Sequence, residues 1–505
     1  MKRLLLSVCL LAAVEATAFD SISLSAGDFA IATGKPSLVT WHDGTAYVPV
    51  WSLSGGTAGQ SVVAQTPSLP AGCAGVRIEL LVAVEDPSVT NGVFTDVFRV
   101  NTSQIAAGER LGWRNVIGPQ VRTALPDAPG KVRRIVVESY RRVTPGYPLL
   151  VRVQREPDDP GDTFVRPVGL VAAEVIPLPA PEKVRTVESS PGYNSWPMMQ
   201  ALGKRLVCAY SRGSGHSIGE GARGVYARSS DDGGRTWSSE TAVATDPACG
   251  EVTIGKGLDE DGAMLLWVRC LGGPKSHHDL YRTTDGVKFE RIASPALSPF
   301  PMQITDVFKT PSGLMALWFA TDYKNAERNA WGTLVSRDNG VTWEQRTVES
   351  GMPMGELPTE PSAVHLGGGR ILAIARTEGG PTSEFSQFQL TSTDGGVTWR
   401  KERTNIRDVC ASTPSLILDP ASGRVTNYYY ERGKGVLKRR IAKAETIFDR
   451  PCDWPPAEAV AFGDEDRPWD AGNVNATFIG NVHYLAFYHG TRTTASVCVV
   501  PAPAP

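Results

Sequence analysis

The chain has 505 residues, 41% of them hydrophobic and 21% charged, enough for more than one buried core and far from the composition of a disordered segment. Lys and Arg number 51 against 53 Asp and Glu, a formal charge of −2; this excludes a global basic field for nucleic acid, though local arginines can still hold a small anion. Gly (51) and Pro (37) exceed their usual share without a Gly-X-Y period, which excludes collagen and favours a chain of strands and tight turns.

The chain opens with Met1-Lys2-Arg3, an apolar run from Leu4 to Val14 and the small-x-small pattern Ala16-Thr17-Ala18. Residues 1–18 therefore read as a signal peptide, which predicts a secreted or periplasmic protein beginning near Phe19. The run is too short to cross a bilayer and no later stretch reaches about 18 apolar residues, so no integral membrane segment is expected. Cys9 follows Ser7-Val8, a poor lipobox. Cys73, Cys208, Cys249, Cys270, Cys410, Cys452 and Cys498 show no C-x-x-C or C-x-C spacing, so neither a metal site nor a cofactor is expected. Disulfides stay open; seven cysteines leave at least one thiol free, and burial is the commoner fate of such a thiol.

Residues 19–175 carry alternating runs such as Val76 to Val84, Lys131 to Tyr140 and Leu149 to Arg155 between Gly, Pro and Asn clusters. They predict a β-sandwich, by architecture a carbohydrate-binding or assembly module. Ile176-Pro177-Leu178-Pro179-Ala180-Pro181 is too rich in proline for a central strand, so 176–186 reads as a stiff linker.

Beyond the linker the sequence repeats. Ser230-Asp231-Asp232-Gly233-Gly234-Arg235-Thr236-Trp237 recurs from Ser336 to Trp343 and from Ser392 to Trp399, and a shortened copy runs from Thr283 to Phe289. The starts are 53, 53 and 56 residues apart, the length of one four-stranded propeller blade. In each copy the Asp is placed to accept backbone amides of a turn, Gly supplies the left-handed position and Trp lies against the hairpin, so the motif staples a turn. Residues 187–499 divide into six such units, which predicts an all-β chain: a six-bladed β-propeller preceded by the sandwich, with 500–505 as a tail.

Each unit also holds an apolar strand ending in a polar residue: before Arg212, Arg269, Thr321, Arg376, Arg432 and His489. Successive strands of a blade are antiparallel, and the stapled turn joins the third to the fourth. The second strands therefore end at the face opposite the staples, where the first strands begin with Trp196, Glu360, Thr413 and Asn473. This register gathers Arg212, Arg269, Arg376, Arg432, His489 and Glu360 around one end of a channel. Guanidinium forks there match a carboxylate, and an acidic sugar is the natural ligand. Tyr430, from the run Tyr428-Tyr429-Tyr430, lies near enough to face a sugar, although alternate residues of such a strand are commonly core. His277-His278-Asp279 points successive side chains to opposite faces, which disfavours a shared metal ion and predicts surface residues.

The repeats resemble the Asp-boxes of the sialidase (neuraminidase) superfamily, and the likeness covers roughly 187–499. Its most specific part is Thr359-Glu360-Pro361-Ser362 through Gly369-Arg370-Ile371-Leu372-Ala373-Ile374-Ala375-Arg376. It resembles the stretch carrying the family's active-site glutamate and a carboxylate-binding arginine. The resemblance implies those roles for Glu360 and Arg376, and the next clamp arginine for Arg432 in Tyr429-Tyr430-Glu431-Arg432-Gly433. The chain departs from ordinary exo-sialidases in three places. Asn194-Ser195-Trp196-Pro197 stands where the first clamp arginine is expected, with Arg212 or Arg269 as substitutes. The first-blade aspartate acid is missing, with His216 or Glu220 in its neighbourhood. Asp470-Ala471-Gly472-Asn473-Val474-Asn475 lacks the tyrosine nucleophile. The pattern is nearer to the endosialidases that cut polysialic acid.

The implied function is a glycoside hydrolase of sialidase type, cleaving α-linked sialic acid from sialylated glycans or polysialic acid. Without a covalent acceptor, direct attack by water with inversion is the expected route. Arg376 and Arg432 would bind the carboxylate, Glu360 would assist water or the cationic transition state, and His216 or Glu220 would protonate the leaving oxygen. Trp196, Tyr430, Asn473 and His489 complete the expected sugar contacts. The alternatives are a non-catalytic acidic-sugar-binding propeller and a hydrolase or lyase for another acidic sugar.

Overall fold

The structure, a computed structural model, describes the chain from Ile22 to Pro505 apart from a number of stretches. The longest are 85–92, 100–120, 123–131, 140–147, 156–163 and 176–183 in the first part and 217–222, 378–385, 432–435 and 463–469 in the second. The predicted signal segment, most of the predicted linker, Glu220 and Arg432 thus lie outside the described residues. The chain divides into two compact units, Met1–Leu178 and Pro179–Pro505. Among the described residues no helix is long and apolar enough to cross a membrane.

The first unit contains two antiparallel sheets. One runs in the order Ser37–His42, Tyr47–Ser54, Phe164–Val175, Val76–Val84, Val132–Ser139, with Ile22–Leu24 also paired to Phe164–Val175. The other runs Phe29–Thr33, Ser61–Gln65, Leu149–Arg155, Val93–Arg99, Val121–Arg122. Ser61–Gln65 and Leu149–Arg155 bury Val62, Ala64, Val151 and Val153, as β-branched and small residues do on a half-covered sheet.

The second unit is built from antiparallel sheets of consecutive hairpins. Cys249–Leu258, Met264–Gly272, His277–Thr283 and Glu290–Ala293 make one, and Pro358–Gly367, Arg370–Thr377, Phe388–Ser392 and Arg400–Arg403 another. Ser415–Asp419, Arg424–Glu431, Val436–Lys443 and Glu458–Phe462 form a third, and Gln303–Ile304 and Phe308–Thr310 pair with Gly313–Ala320 in a fourth. The remaining sheet joins both ends of the unit: Tyr193–Leu202, Arg205–Gly213, Gly224–Ser230 and Thr241–Ala244 on one side, Asp470–Ile479, Val482–Gly490 and Ala495–Pro503 on the other. Arg185–Glu188, which straddles the predicted boundary between the linker (to 186) and the propeller (from 187), pairs with Ala495–Pro503 and supplies its fourth strand, covering an edge that would otherwise be open. The predicted tail from 500 is likewise strand as far as Pro503, which pairs with Val482.

The first strands touch in series, from Tyr193–Leu202 through Cys249–Leu258, Phe308–Thr310, Pro358–Gly367, Ser415–Asp419 and Asp470–Ile479 back to Tyr193–Leu202. The apolar cores lie between neighbouring sheets and follow the same circuit. Trp267 and Leu280 meet Leu314 and Trp318, Met315 and Leu317 meet Ile371 and Ala373, and Tyr428 and Tyr430 meet Leu485 and Phe487. Each fully buried side chain of this size contributes roughly 1.5–3 kcal/mol, so the closing circuit is held chiefly by these inter-sheet layers.

The repeated turns sit at the end of the third strands. Asp394 accepts the Thr398 amide at 2.9 Å, the Thr398 hydroxyl at 2.6 Å and the Ser392 hydroxyl at 2.9 Å, and the Trp399 indole donates to Gly396 O at 3.0 Å. Asp338 repeats the arrangement with Thr342 and Ser336, and Asp232 with Thr236 and Ser230.

Two expectations change, and the open question of disulfides is answered. Tyr430 is fully buried and stacked on Phe487 at 5.7 Å, because its strand is covered on both sides; it belongs to the core and not to a sugar surface. His278 and Asp279 are 1% and 6% exposed rather than superficial, and the His278 Nε2 lies 3.0 Å from Pro301 O, with burial first and Arg269 next holding its pKa down to about 3. Cys249 and Cys270, opposite ends of one hairpin, form a disulfide, while Cys208 and Cys498 are buried thiols and Cys452 an exposed one.

Candidate functional site

A backbone irregularity positions the site. The pairing of three first strands with their second strands shifts between Ser195 and Met198, between Thr359 and Ser362, and between Gly472 and Asn475. At each shift a non-glycine residue takes a left-handed conformation: Trp196 at φ 50°, Glu360 at φ 46° and Asn473 at φ 48°. Each such residue costs of order 1–3 kcal/mol, so the surroundings must hold it there. Pro197 and Pro361 follow the first two; proline cannot donate to a ladder and is at home at a bulge. Backbone amides near the shifts are taken by side chains of the neighbouring first strand. Met199 N donates to Asn475 Oδ1 at 2.7 Å, Leu416 N to Ser362 Oγ at 2.9 Å and Ala476 N to Ser415 Oγ at 3.0 Å.

On this frame Glu360 and Arg376 meet. Arg376 Nη1 donates to Glu360 Oε2 at 3.0 Å, with side chains 13% and 17% exposed. The Thr413 hydroxyl contacts both Glu360 Oε2 and Asn473 Oδ1, the latter at 2.7 Å. Thr359 Oγ1 donates to Arg376 O at 3.1 Å and fixes the strand that carries the guanidinium. Glu360, Arg376, Thr413 and Asn473 thus form one chain across two first strands, a second strand and the segment leading into Ser415–Asp419. Glu360, Thr413 and Asn473 themselves line a narrow cavity of about 20 Å³, the room of one water, with Asp306, bonded to Ser362 at 3.1 Å, in its wall.

His216 belongs to a second group, around Trp196. Its Nδ1 lies 2.7 Å from Tyr193 Oη, and its ring is 5.7 Å from those of Tyr193 and Trp196. Tyr488, which pairs with Gly472 next to Asn473, lies 5.9 Å from Tyr193 and 6.4 Å from Trp196. The rings of Tyr193 and Tyr488 are 0% and 2% exposed.

The structure separates Arg212 and Arg269 from these groups. Arg212 is neutralised: its guanidinium donates to Asn194 Oδ1 at 2.7 Å and pairs with Glu240 at 2.9 Å and Glu188 at 3.1 Å, which removes it from a carboxylate clamp. Arg269 is 4% exposed and directs Nη1 to the backbone oxygen and sulfur of Met302, so it too is withdrawn. The half-buried His489 packs against Phe487 at 6.2 Å.

Sequence reasoning missed Arg223, Tyr193 and Tyr488. Arg223 opens the third strand of the first hairpin set, where no register argument points, yet its guanidinium lies 4.7 Å over the Trp196 ring and 5.7 Å from Tyr193. It is 4% exposed, gives Nη2 to Gly215 O, and its Nη1 has no partner; burial lowers its pKa. The periodicity of Tyr193 and Tyr488 is that of core residues, and nothing in the sequence marks them otherwise. Among the described residues no group of His, Cys, Asp and Glu is arranged to hold a metal ion.

No family model and no curated protein matches the chain. Comparison with solved structures finds a Dyadobacter fermentans protein of unknown function at 18% identity and TM-score 0.49, over 64% of this chain and 100% of that one. Trypanosoma rangeli sialidase with the inhibitor DANA is similar at 11% identity and TM-score 0.46, over 64% of this chain and 58% of that one. The NanB sialidase of Streptococcus pneumoniae is similar at 11% identity and TM-score 0.47, over 86% and 95%. All three fall below a TM-score of 0.5, so the functional reading rests on the chain's own residues.

Proposed function

We propose that residues 187–499 form a six-bladed, sialidase-like β-propeller with Asp-box turns, and that the chain is an exported glycoside hydrolase acting on α-linked sialic acid in sialylated glycans or polysialic acid. The observation that carries this reading is Glu360, held in a left-handed conformation against Arg376 beside Thr413 and Asn473. A strained carboxylate kept next to a cation at the end of a channel is the signature of a site and not of a fold requirement. Arg376, with Arg432, holds the substrate carboxylate. Glu360 orients water or stabilises the developing oxocarbenium charge. His216 or Glu220 protonates the leaving oxygen; from His216 the proton would leave by Nε2, because Nδ1 faces Tyr193. Tyr488, which pairs with Gly472 beside Asn473, is buried in the core, which favours water over a phenolate as the attacking group and hence inversion, in the manner of an endosialidase.

The test is turnover of a fluorogenic sialoside and of polysialic acid. Glu360→Gln keeps the shape of the side chain and should lower kcat by about 10²-fold or more while the thermal melt stays within a few degrees. Unchanged turnover would remove Glu360 from the mechanism.

A further inference from the structure

A second pocket lies among later residues of the same first strands and shares no lining residue with the Glu360 cavity. The first strands continue past their bulges, and their later residues line an open pocket of about 330 Å³, within the range of small-molecule sites. The repeated turns flank this end of the strands, where Arg205 meets Asp231 at 2.7 Å and Asn339 meets Asp261 at 3.0 Å across neighbouring hairpins.

The chemistry of the wall is one-sided. It includes Lys256, Lys309 and His365 and no Asp or Glu. Lys256 is 8% exposed; its ammonium reaches past Tyr193–Leu202 to Ala476 O at 3.1 Å, using one of three donors, and no carboxylate lies within ion-pair distance among the described residues. Among the described residues Lys309 is bonded only to Glu260 O, at 3.2 Å. His365 Nε2 is buried without a partner, and burial lowers its pKa. A buried ammonium compensated only by a carbonyl is expensive unless an anion accompanies it. Apart from Gln200 and Thr477 the rest of the wall is apolar, from Phe308 and Leu418 to Phe478, which is 49% exposed at the rim.

We propose that this chamber binds a small organic carboxylate with an apolar body, its charge held by Lys256 and Lys309 and its hydrocarbon part lying against Phe308, Leu418 and Phe478. The site is independent of the Glu360 reading, since it shares no side chain with that constellation.

Isothermal titration of the full chain with 4-phenylbutyrate, 4-phenylbutanol and inorganic phosphate tests it. The carboxylate should bind at least about ten-fold more tightly than either the alcohol or phosphate, and Lys256→Met should weaken it about ten-fold or more. Lys309→Met, at an exposed side chain that folding does not need, should weaken it in the same direction and stands in should Lys256→Met fail to fold. The proposal is overturned by absence of carboxylate binding up to about 10 mM, by an alcohol or phosphate that binds as well, or by unchanged affinity in the folded lysine variants.

Discussion

Glu360, Trp196 and Asn473 share a conformation that their side chains do not choose. The left-handed region is disfavoured for a residue with a Cβ, and here it occurs at matching places in three first strands. The bulge turns each side chain out of the alternation of the strand, so a glutamate can face a channel instead of a neighbouring sheet. Asn is the least costly of the three there; Glu and Trp have no local excuse, and this makes the inference from strain to function strongest at Glu360 and Trp196. Another residue carries a pH-dependent cost. Glu251 is 6% exposed and its carboxyl is pushed up to about 7, chiefly by burial, with Asp246 and Asp279 adding to the rise and the Asp246 amide and His277 opposing it. The folded chain keeps this proton to about pH 7, whereas an unperturbed carboxyl releases it near 4.5. Its contribution to stability is therefore complete below about pH 4.5 and is lost as pH rises to 7. Glu251→Gln should be the more stable protein at pH 8, by about 2–3 kcal/mol, and the gap should close toward pH 5. Urea melts at the two pH values check this, and a pH-independent difference would contradict it.

At the level of elements, the second strands and stapled turns are legible in the sequence and the bulges are not. Each second strand is an apolar run, such as Leu314 to Ala320 within the observed Gly313–Ala320, so hydrophobicity marks it directly. The repeated turns carry their own hydrogen-bond chemistry, with the acceptor Asp and the donor Thr four residues apart. Asp394→Ala removes acceptors for Thr398 N, Thr398 Oγ1 and Ser392 Oγ, and should cost about 1–2 kcal/mol, read as a lower urea midpoint with an unchanged slope. A midpoint equal to wild type would mean that the turn holds without its staple. The Glu360–Arg376 pair was legible because both follow from strand register. The failure of Arg212 was not, because its neutralising partners come from outside any predicted strand: Glu188 just past the predicted linker and Glu240 just past a stapled turn. Arg223 was hidden for the same kind of reason: its place over Trp196 is set by a chain reversal that no periodicity encodes.

For the whole molecule, closure is the property least visible in sequence. Arg185–Glu188 pairs with Ala495–Pro503, segments roughly 300 residues apart, and only the three-dimensional circuit brings them together. Val187, 5% exposed, packs in the same core as Tyr488 and Val497. Val187→Asp buries a charge at this seam and should cost at least about 3 kcal/mol, with a matching fall in the thermal midpoint; a midpoint within a degree of wild type would mean that the seam does not hold the circuit. Closure also leaves two pockets of different chemistry along the first strands, a carboxylate–guanidinium constellation at one and lysines on a largely apolar wall at the other. The central claim is that the Glu360 end exists to receive a sugar carboxylate at Arg376. Titration calorimetry of the full chain with sialic acid and with its methyl ester, repeated on folded Arg376→Met, tests it most directly. The account predicts that the free acid binds about ten-fold or more tightly than the ester and that Arg376→Met erases the difference. Equal affinities of acid and ester for the wild-type chain would contradict it.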